Sequence, residues 1–224
     1  MGLTYGSAVI GSPSVGAITG CLIAGSSAAI TGTTGEATGS AEIPTSRGRG
    51  PLRPPRASCF RIGLISDTHG LLRAEATAFL ERSDCIVHAG DIGAASILRE
   101  LRTLAPLYAV RGNNDTERWA ARVPERRTLR LSGVRIYVVH DRAELAERPA
   151  PGGSRLIIAG HSHQPLIEAQ GDALLVNPGS AGPRRFRLPI AAGEIEIRGE
   201  HLHLRLVDLS TRRPLPGLSA TLAL

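Results

Sequence analysis

The chain has 224 residues, 42% hydrophobic and 21% charged, an ordinary globular composition that excludes a wholly disordered, collagen-like or coiled-coil protein. Every one of its 26 basic residues is Arg, which reads as the mark of a GC-rich genome and not as a functional demand. The formal charge of +6 is scattered and aromatics are only 3%, which argues against a nucleic-acid groove or a track of base-stacking side chains.

Residues 1–56 are a different kind of chain. They are rich in Gly, Ser, Thr and Ala, carry no charge up to Gly35, and end in the Pro/Arg-rich stretch Thr45 to Arg56. This is the composition of a disordered tail with an extended linker. Residues 8–30 are uncharged and long enough to span a bilayer, but Pro13 and many Gly and Ser dilute their apolarity. With no basic n-region either, neither a membrane segment nor a secretory signal is expected. The three cysteines, at 21, 59 and 85, form no CxxC pair and read as reduced thiols of a cytoplasmic protein.

Residues 57–224 are long enough for one core. Phe60 to Ile65 predicts a strand, Leu71 to Glu81 a helix, and Cys85 to His88 a short buried strand. Ala94 to Leu104 predicts a second helix and Leu107 to Val110 a third strand. That alternation indicates βαβ units and a parallel sheet. Beyond Val123, Gly-containing two-residue turns at 132–133, 171–172 and 199–200 join pairs of apolar runs, and Leu156 to Ala159 adds a short strand. The second half is therefore expected to be mostly antiparallel, and the whole to be an α/β protein of two packed sheets with helices outside.

Chemistry-bearing residues recur at strand ends. Asp67 and His69 follow the first strand, Asp91 the second and Asn113 the third; His140 follows Val134 to Val139, and His161 and His163 follow Leu156 to Ala159. Strand carboxyl ends of α/β sheets are where ligand sites form, so all seven can meet at one edge. Two carboxylates, four imidazoles and one amide suit two divalent ions, four protein groups each if Asp91 bridges. Oxygen and nitrogen donors without thiolate favour Mn, Fe, Zn or Ni over Cu(I) or an iron–sulfur cluster. Two divalent ions offset by two carboxylates and a bridging hydroxide leave about one positive charge, which favours an anionic phosphate ester.

Gly63-Leu-Ile-Ser-Asp-Thr-His-Gly70, Gly90-Asp-Ile92, Gly112-Asn-Asn-Asp115, His140 and Gly160-His-Ser-His163 together resemble the motif series of the calcineurin-like metallophosphoesterases. The compact length and Asn177-Pro-Gly-Ser180 are similar to the small YfcE-type phosphodiesterase branch. The resemblance covers about residues 60–209 and implies a four-layer α/β/β/α sandwich of two mixed sheets flanked by helices. It implies that Asp67, His69 and His163 hold one metal, that Asn113, His140 and His161 hold the other, and that Asp91 bridges. Manganese is the expected metal, with Ni, Zn, Fe or Mg as alternatives. The implied reaction is phosphodiester hydrolysis by a metal-bridged hydroxide on a small phosphate ester; the alternatives are a phosphomonoesterase or a non-catalytic protein-binding scaffold. A homo-oligomer is compatible with this reading.

Two positions depart from the family pattern. Larger members place a His after the metal-binding Asn, where it serves the leaving group; here that slot is Asn114, and an amide is not a general acid near neutral pH. Asp141 stands where Gly is common and reads as a solvated loop residue. His88 reads as a core residue or as a support behind the ligands, His201 and His203 as a half-exposed strand, and Arg184, Arg185 and Arg187 as a solvated loop. Asn177 to Ser180 reads as a tight turn forming the floor of the site, with Ser180 rejected as a nucleophile.

Overall fold

The computed structural model describes residues 59–224, so the readings of residues 1–56 and of the 8–30 stretch lie outside the described residues. The chain enters through β1 (Cys59–Ile65), α1 (Ala74–Leu80), β2 (Cys85–Ala89), α2 (Ala95–Leu104) and β3 (Leu107–Val110). It continues through β4 (Arg126–Leu131), β5 (Val134–Val139), β6 (Leu156–Ile158), β7 (Leu166–Gln170) and β8 (Ala173–Asn177). It closes with β9 (Ala191–Arg198), β10 (His201–Asp208) and β11 (Arg213–Ala223). One sheet runs β11-β10-β9-β1-β2-β3 and the other β4-β5-β6-β8-β7.

Period-two alternation divides these strands between two faces. Ile62 and Leu64 of β1, Cys85 and Val87 of β2, Ile136 and Val138 of β5, and Leu156 and Ile158 of β6 meet between the sheets. Ile65 and Ile86 point the other way, beneath Ala76 and Leu80 of α1 and Ile97, Leu98 and Leu101 of α2. The outer face of the second sheet, with Tyr137, Val139, Ile157 and Leu175, is covered through Leu145. Leu145 lies in a single 3-10 turn, Arg142–Ala146. The fourth layer of the expected sandwich is thus thin, because Pro149, Pro151 and two glycines follow and no helix can propagate there.

Three local expectations change. The first helix starts at Ala74, three residues later than predicted, since Leu71 N donates to Thr68 O (2.8 Å) in a turn instead. The second half is mostly antiparallel, as expected, but β5, β6 and β8 pair in parallel, which the turn pattern did not predict. β11, which was not among the predicted strands, contains Pro and Gly and pairs antiparallel with β10 at the sheet edge, where a missing N–H is tolerated. No helix among the described residues is long and apolar enough to cross a membrane.

Candidate metal centre

The loops after β1 and β2 are zipped together by backbone hydrogen bonds. Asp67 N donates to Gly90 O (3.0 Å), His69 N to Asp91 O (2.9 Å) and Gly70 N to Ile92 O (2.9 Å). These bonds hold a strained geometry. Asp67, His69, Asp91, His161 and His163 all have left-handed backbone, with φ of 54, 43, 52, 69 and 59°. Each such non-glycine residue costs of order 1–3 kcal/mol, and five at one sheet edge mark a functional site.

The side chains converge. Asp67, His69 and His163 offer ligand atoms mutually within 4.8 Å, and so do Asp67, Asp91 and His140. The Nε2 atoms of His69 and His163 face each other at 3.1 Å. His163 Nε2 lies 3.4 Å from Asp67 Oδ1, and His140 Nε2 lies 3.4 Å from Asp91 Oδ2. His161 Nδ1 stands 3.1 Å from Asn113 Oδ1, and the His161 ring lies edge-on to His140 at 5.3 Å. All seven candidate ligands therefore meet at one edge. Asp67, Asp91, His140 and His163 are buried, whereas Asn113 and His161 are exposed and form its open side.

Supporting groups fix these orientations. His140 Nδ1 donates to Ala89 O (2.7 Å), which leaves the Nε2 lone pair toward Asp91. His88 is fully buried and does support the site from the core. Thr68 Oγ1 donates to Ile92 O (2.9 Å), so His88 Nε2 donates to Thr68 Oγ1 (3.0 Å), while His88 Nδ1 accepts from Gly90 N (3.2 Å). Asn177 Nδ2 donates to Gly160 O (2.7 Å), and Ser66 Oγ donates to Gly179 O (2.6 Å). The Asn177–Ser180 turn thus ties the two His-bearing loops from below, and Ser180 Oγ is engaged with Asp67 O (2.9 Å).

Asp115, quoted in the sequence only as the end of a motif, is a clamp. Its carboxylate accepts from Ile92 N (3.1 Å), Gly93 N (2.8 Å) and Gly112 N (2.8 Å), joining the Asp91 and Asn113 loops. A Cβ on Gly112 would run into the Asp91 carboxylate, so these loops close only with glycine there. Asn114 turns both donors to Asp91: its N–H reaches Oδ1 (3.0 Å) and its Nδ2 reaches Oδ2 (2.6 Å). Asp141 caps the 3-10 turn by accepting from Ala143 N (2.9 Å), and its other oxygen lies 3.7 Å from His161 Nε2. Only the structure shows these three roles, since each depends on which backbone groups the loops bring alongside.

The electrostatics are those of a cation cradle. Burial pushes the Asp67 carboxyl up to about 7, while Asp91, despite burial, is held well below the usual carboxylate range by the neighbouring His140 and by the two hydrogen bonds from Asn114. Burial lowers His69 and takes His163 down to about 4, so both rings are neutral and free to ligate. Burial opposes protonation of His140, but the Asp91 carboxylate outweighs it and raises that pKa. Asp67 Oδ2 and His140 Nε2 are buried with no hydrogen-bond partner. Two orphaned buried lone pairs beside two facing imidazole nitrogens fit a divalent cation, and the donor set is hard to borderline. A cleft of about 440 Å³ opens beside Asn113, His140 and His161. Its wall carries an Arg111–Glu125 pair at 2.7 Å, with Arg126 at 3.5 Å from the same carboxylate.

Fold and site together define an α/β protein of two mixed sheets whose strand ends hold a divalent-metal cradle. The chain belongs to the calcineurin-like phosphoesterase superfamily, whose domain matches residues 60–199. It is 35% identical over 158 residues to a probable metallophosphoesterase of Methanothermobacter thermautotrophicus, covering 65% of this chain and 91% of that protein. It is 27% identical over 138 residues to a protein of Methanocaldococcus jannaschii named a phosphodiesterase, covering 54% of this chain and 83% of that one. The fold is similar to that of YfcE, a phosphoesterase from E. coli, with TM-score 0.56 and 20% identity, covering 73% of this chain and 99% of that one. It is also similar to Vps29 from Entamoeba histolytica, solved with zinc, with TM-score 0.54 and 22% identity, covering 74% of this chain and 98% of that one.

Proposed function

We propose that the protein is a metal-dependent phosphoesterase that hydrolyses phosphodiesters at a dinuclear site. The observation that carries this reading is the pair of orphaned buried lone pairs, Asp67 Oδ2 and His140 Nε2, inside a cluster of three imidazoles and two carboxylates. Asp67, His69 and His163 would hold one cation, Asn113, His140 and His161 the other, with Asp91 between them; manganese suits these donors. Two such cations would supply a low-pKa water and neutralise charge on the phosphoryl oxygens.

The chain's own residues do the positioning. His140 presents Nε2 because Ala89 O holds its Nδ1–H, and Asn114 fixes the Asp91 carboxylate with two hydrogen bonds. With Asn114 so engaged, no titratable side chain stands ready at that slot to protonate a leaving alkoxide. Esters of acidic alcohols are therefore the favoured substrates. The exposed Asn113 and His161 face the cleft and define the side from which substrate enters.

The test is hydrolysis of bis(p-nitrophenyl) phosphate and p-nitrophenyl phosphate by metal-stripped protein, with Mn, Ni, Zn or Mg restored singly and His161→Ala as control. Metal-dependent release, faster for the diester and lost in the variant, is the expected result. Metal binding without release from either ester would refute hydrolysis and leave a protein-binding scaffold.

A further inference from the structure

A strand at a sheet edge leaves a row of backbone N–H and C=O groups without partners, and folds usually blunt such edges. The two sheets end at β11, β3, β4 and β7. β3 is only 4 residues long, β4 carries Arg126, Arg127 and Arg130, and β7 carries Glu168. β11, at 11 residues, is the longest strand of the described residues, and Arg213 at its start is its only charged side chain. Pro214, Pro216 and the left-handed Gly217 (φ 71°) blunt its first half. Nothing comparable interrupts Leu218 to Leu224.

The register shows which groups of that stretch are free. β11 runs antiparallel to β10, with His201 opposite Ala223, Leu202 opposite Leu222 and His203 opposite Thr221. Leu224 N donates to Glu200 O (2.8 Å), so Leu224, Leu222 and Ala220 turn their backbone groups toward β10. By alternation Ser219, Thr221 and Ala223 turn theirs outward. Among the described residues only the Ala223 carbonyl of these three is engaged, accepting from Arg155 Nη2 (2.6 Å). The side chains alternate too. Leu218 and Leu222 pack, half-buried, against the core between the sheets. Ser219, Thr221 and Ala223 lie exposed on the other face, where Thr221 Oγ1 meets His203 Nδ1 at 3.1 Å. Leu224 is left 45% exposed.

We propose that this stretch is a self-pairing edge: two copies of the chain join β11 to β11, antiparallel, about a two-fold axis through Thr221. The symmetry of the stretch itself is what selects a second copy as occupant. Reading outward from Thr221, Ala220 mirrors Leu222, Ser219 mirrors Ala223, and Leu218 mirrors Leu224. About that axis Thr221 and its counterpart exchange both N–H···O bonds, and so do Ser219 and Ala223 of the second copy. On the inner face Leu224 covers Leu218 of the second copy, and Leu222 meets Ala220 of the second copy. Both are non-hydrogen-bonded pairs, where side chains come closest. Residues 218–224 carry no charge that would repel its copy. A register centred on Ser219 would instead set Leu222 against Pro216 and Thr221 against the left-handed Gly217, which breaks the ladder. So short a pairing falls at the low end of interface size, so a weak dimer is expected, with Kd of order 10 µM. β11 is separated from β1 by β10 and β9, so pairing leaves the metal cradle open, and the dimer does not depend on the phosphoesterase reading.

Sedimentation velocity of the full chain between about 1 and about 200 µM, with chelator and with Mn, measures the pairing. A monomer–dimer equilibrium is expected in both. Thr221→Pro removes an N–H that faces away from β10, which an edge strand tolerates, and should weaken the dimer about tenfold or more. Cysteine cross-linking tests the axis without relying on that variant's fold. Thr221→Cys should give a disulfide-linked dimer on mild oxidation, because the axis brings its Cα within about 5.5 Å of its counterpart. Ser219→Cys, with the same native cysteines, should not, because its counterpart lies about 13 Å away along the strand. A monomer at every concentration overturns the pairing, and is the result expected if an extended segment of another protein is what covers β11. A dimer that Thr221→Pro leaves unchanged, or cross-linking at both positions or at neither, also overturns it and assigns any contact between copies to another face.

Discussion

Replacing Asp67 by Asn is expected to stabilise the metal-free protein while destroying its metal cradle. Asp67 is 0% exposed, and its Oδ2 has no hydrogen-bond partner. Burial raises its pKa from 3.8 to about 7. Below about pH 4 the carboxyl is protonated in both folded and unfolded chains, and no penalty exists. As pH rises toward 7 the unfolded chain releases this proton first, so stability is lost. Above 7 the folded chain carries the full cost of ionisation, about 4 kcal/mol. Asn removes that cost at every pH, and its side-chain oxygen can keep the bond from His161 N, which is 3.2 Å long in the parent. In urea unfolding with a chelator, Asp67→Asn should be about 2–4 kcal/mol more stable than the parent near pH 8, and the two should converge near pH 4. With excess Mn the order should reverse, because only the parent gains binding free energy, about 2.7 kcal/mol at a hundredfold excess over Kd. A variant less stable than the parent at pH 8 without metal, or a difference that does not vary with pH, would refute the reasoning.

Other perturbations probe the supports. Asp115→Asn turns one acceptor oxygen into a donor against backbone N–H groups, and should cost about 2–3 kcal/mol in urea unfolding and weaken Mn binding in calorimetry. Gly112→Ala drives a methyl into the Asp91 carboxylate, and should abolish Mn binding and lower stability by about 1–3 kcal/mol. His88 is depressed by burial from 6.5 to about 3, so the unfolded chain takes up its proton first as the medium is acidified. Relative to His88→Gln, the parent should therefore lose stability as pH falls from about 6.5 toward 3; parallel pH–stability curves would contradict this.

The central strands were legible because their apolar periods are clean. β1, β2, β3 and β5 fall within one residue of their predicted runs. The candidate ligands were legible because each follows a strand with a Gly or polar neighbour, and strand ends of an α/β sheet face one way. β11 was not among the predicted strands, since Pro and Gly interrupt its apolar alternation and pairing with β10 is what makes it a strand. His88 was placed in the core by strand alternation alone, but its role as donor to Thr68 needed the loops in place.

The sequence by itself identified the candidate ligands, the chain order of the strands that deliver them, and the superfamily. Its donor types also restrict the metals. Only the tertiary structure decided that the Asn114 amide serves Asp91, that Asp115 clamps two loops, and that the Phe186 ring stands in water. Candidate ligands are recognised by residue type and local spacing. Hydrogen-bond partners separated by twenty or more residues, and the exposure of a ring, follow from how loops pack against one another, which no local pattern encodes.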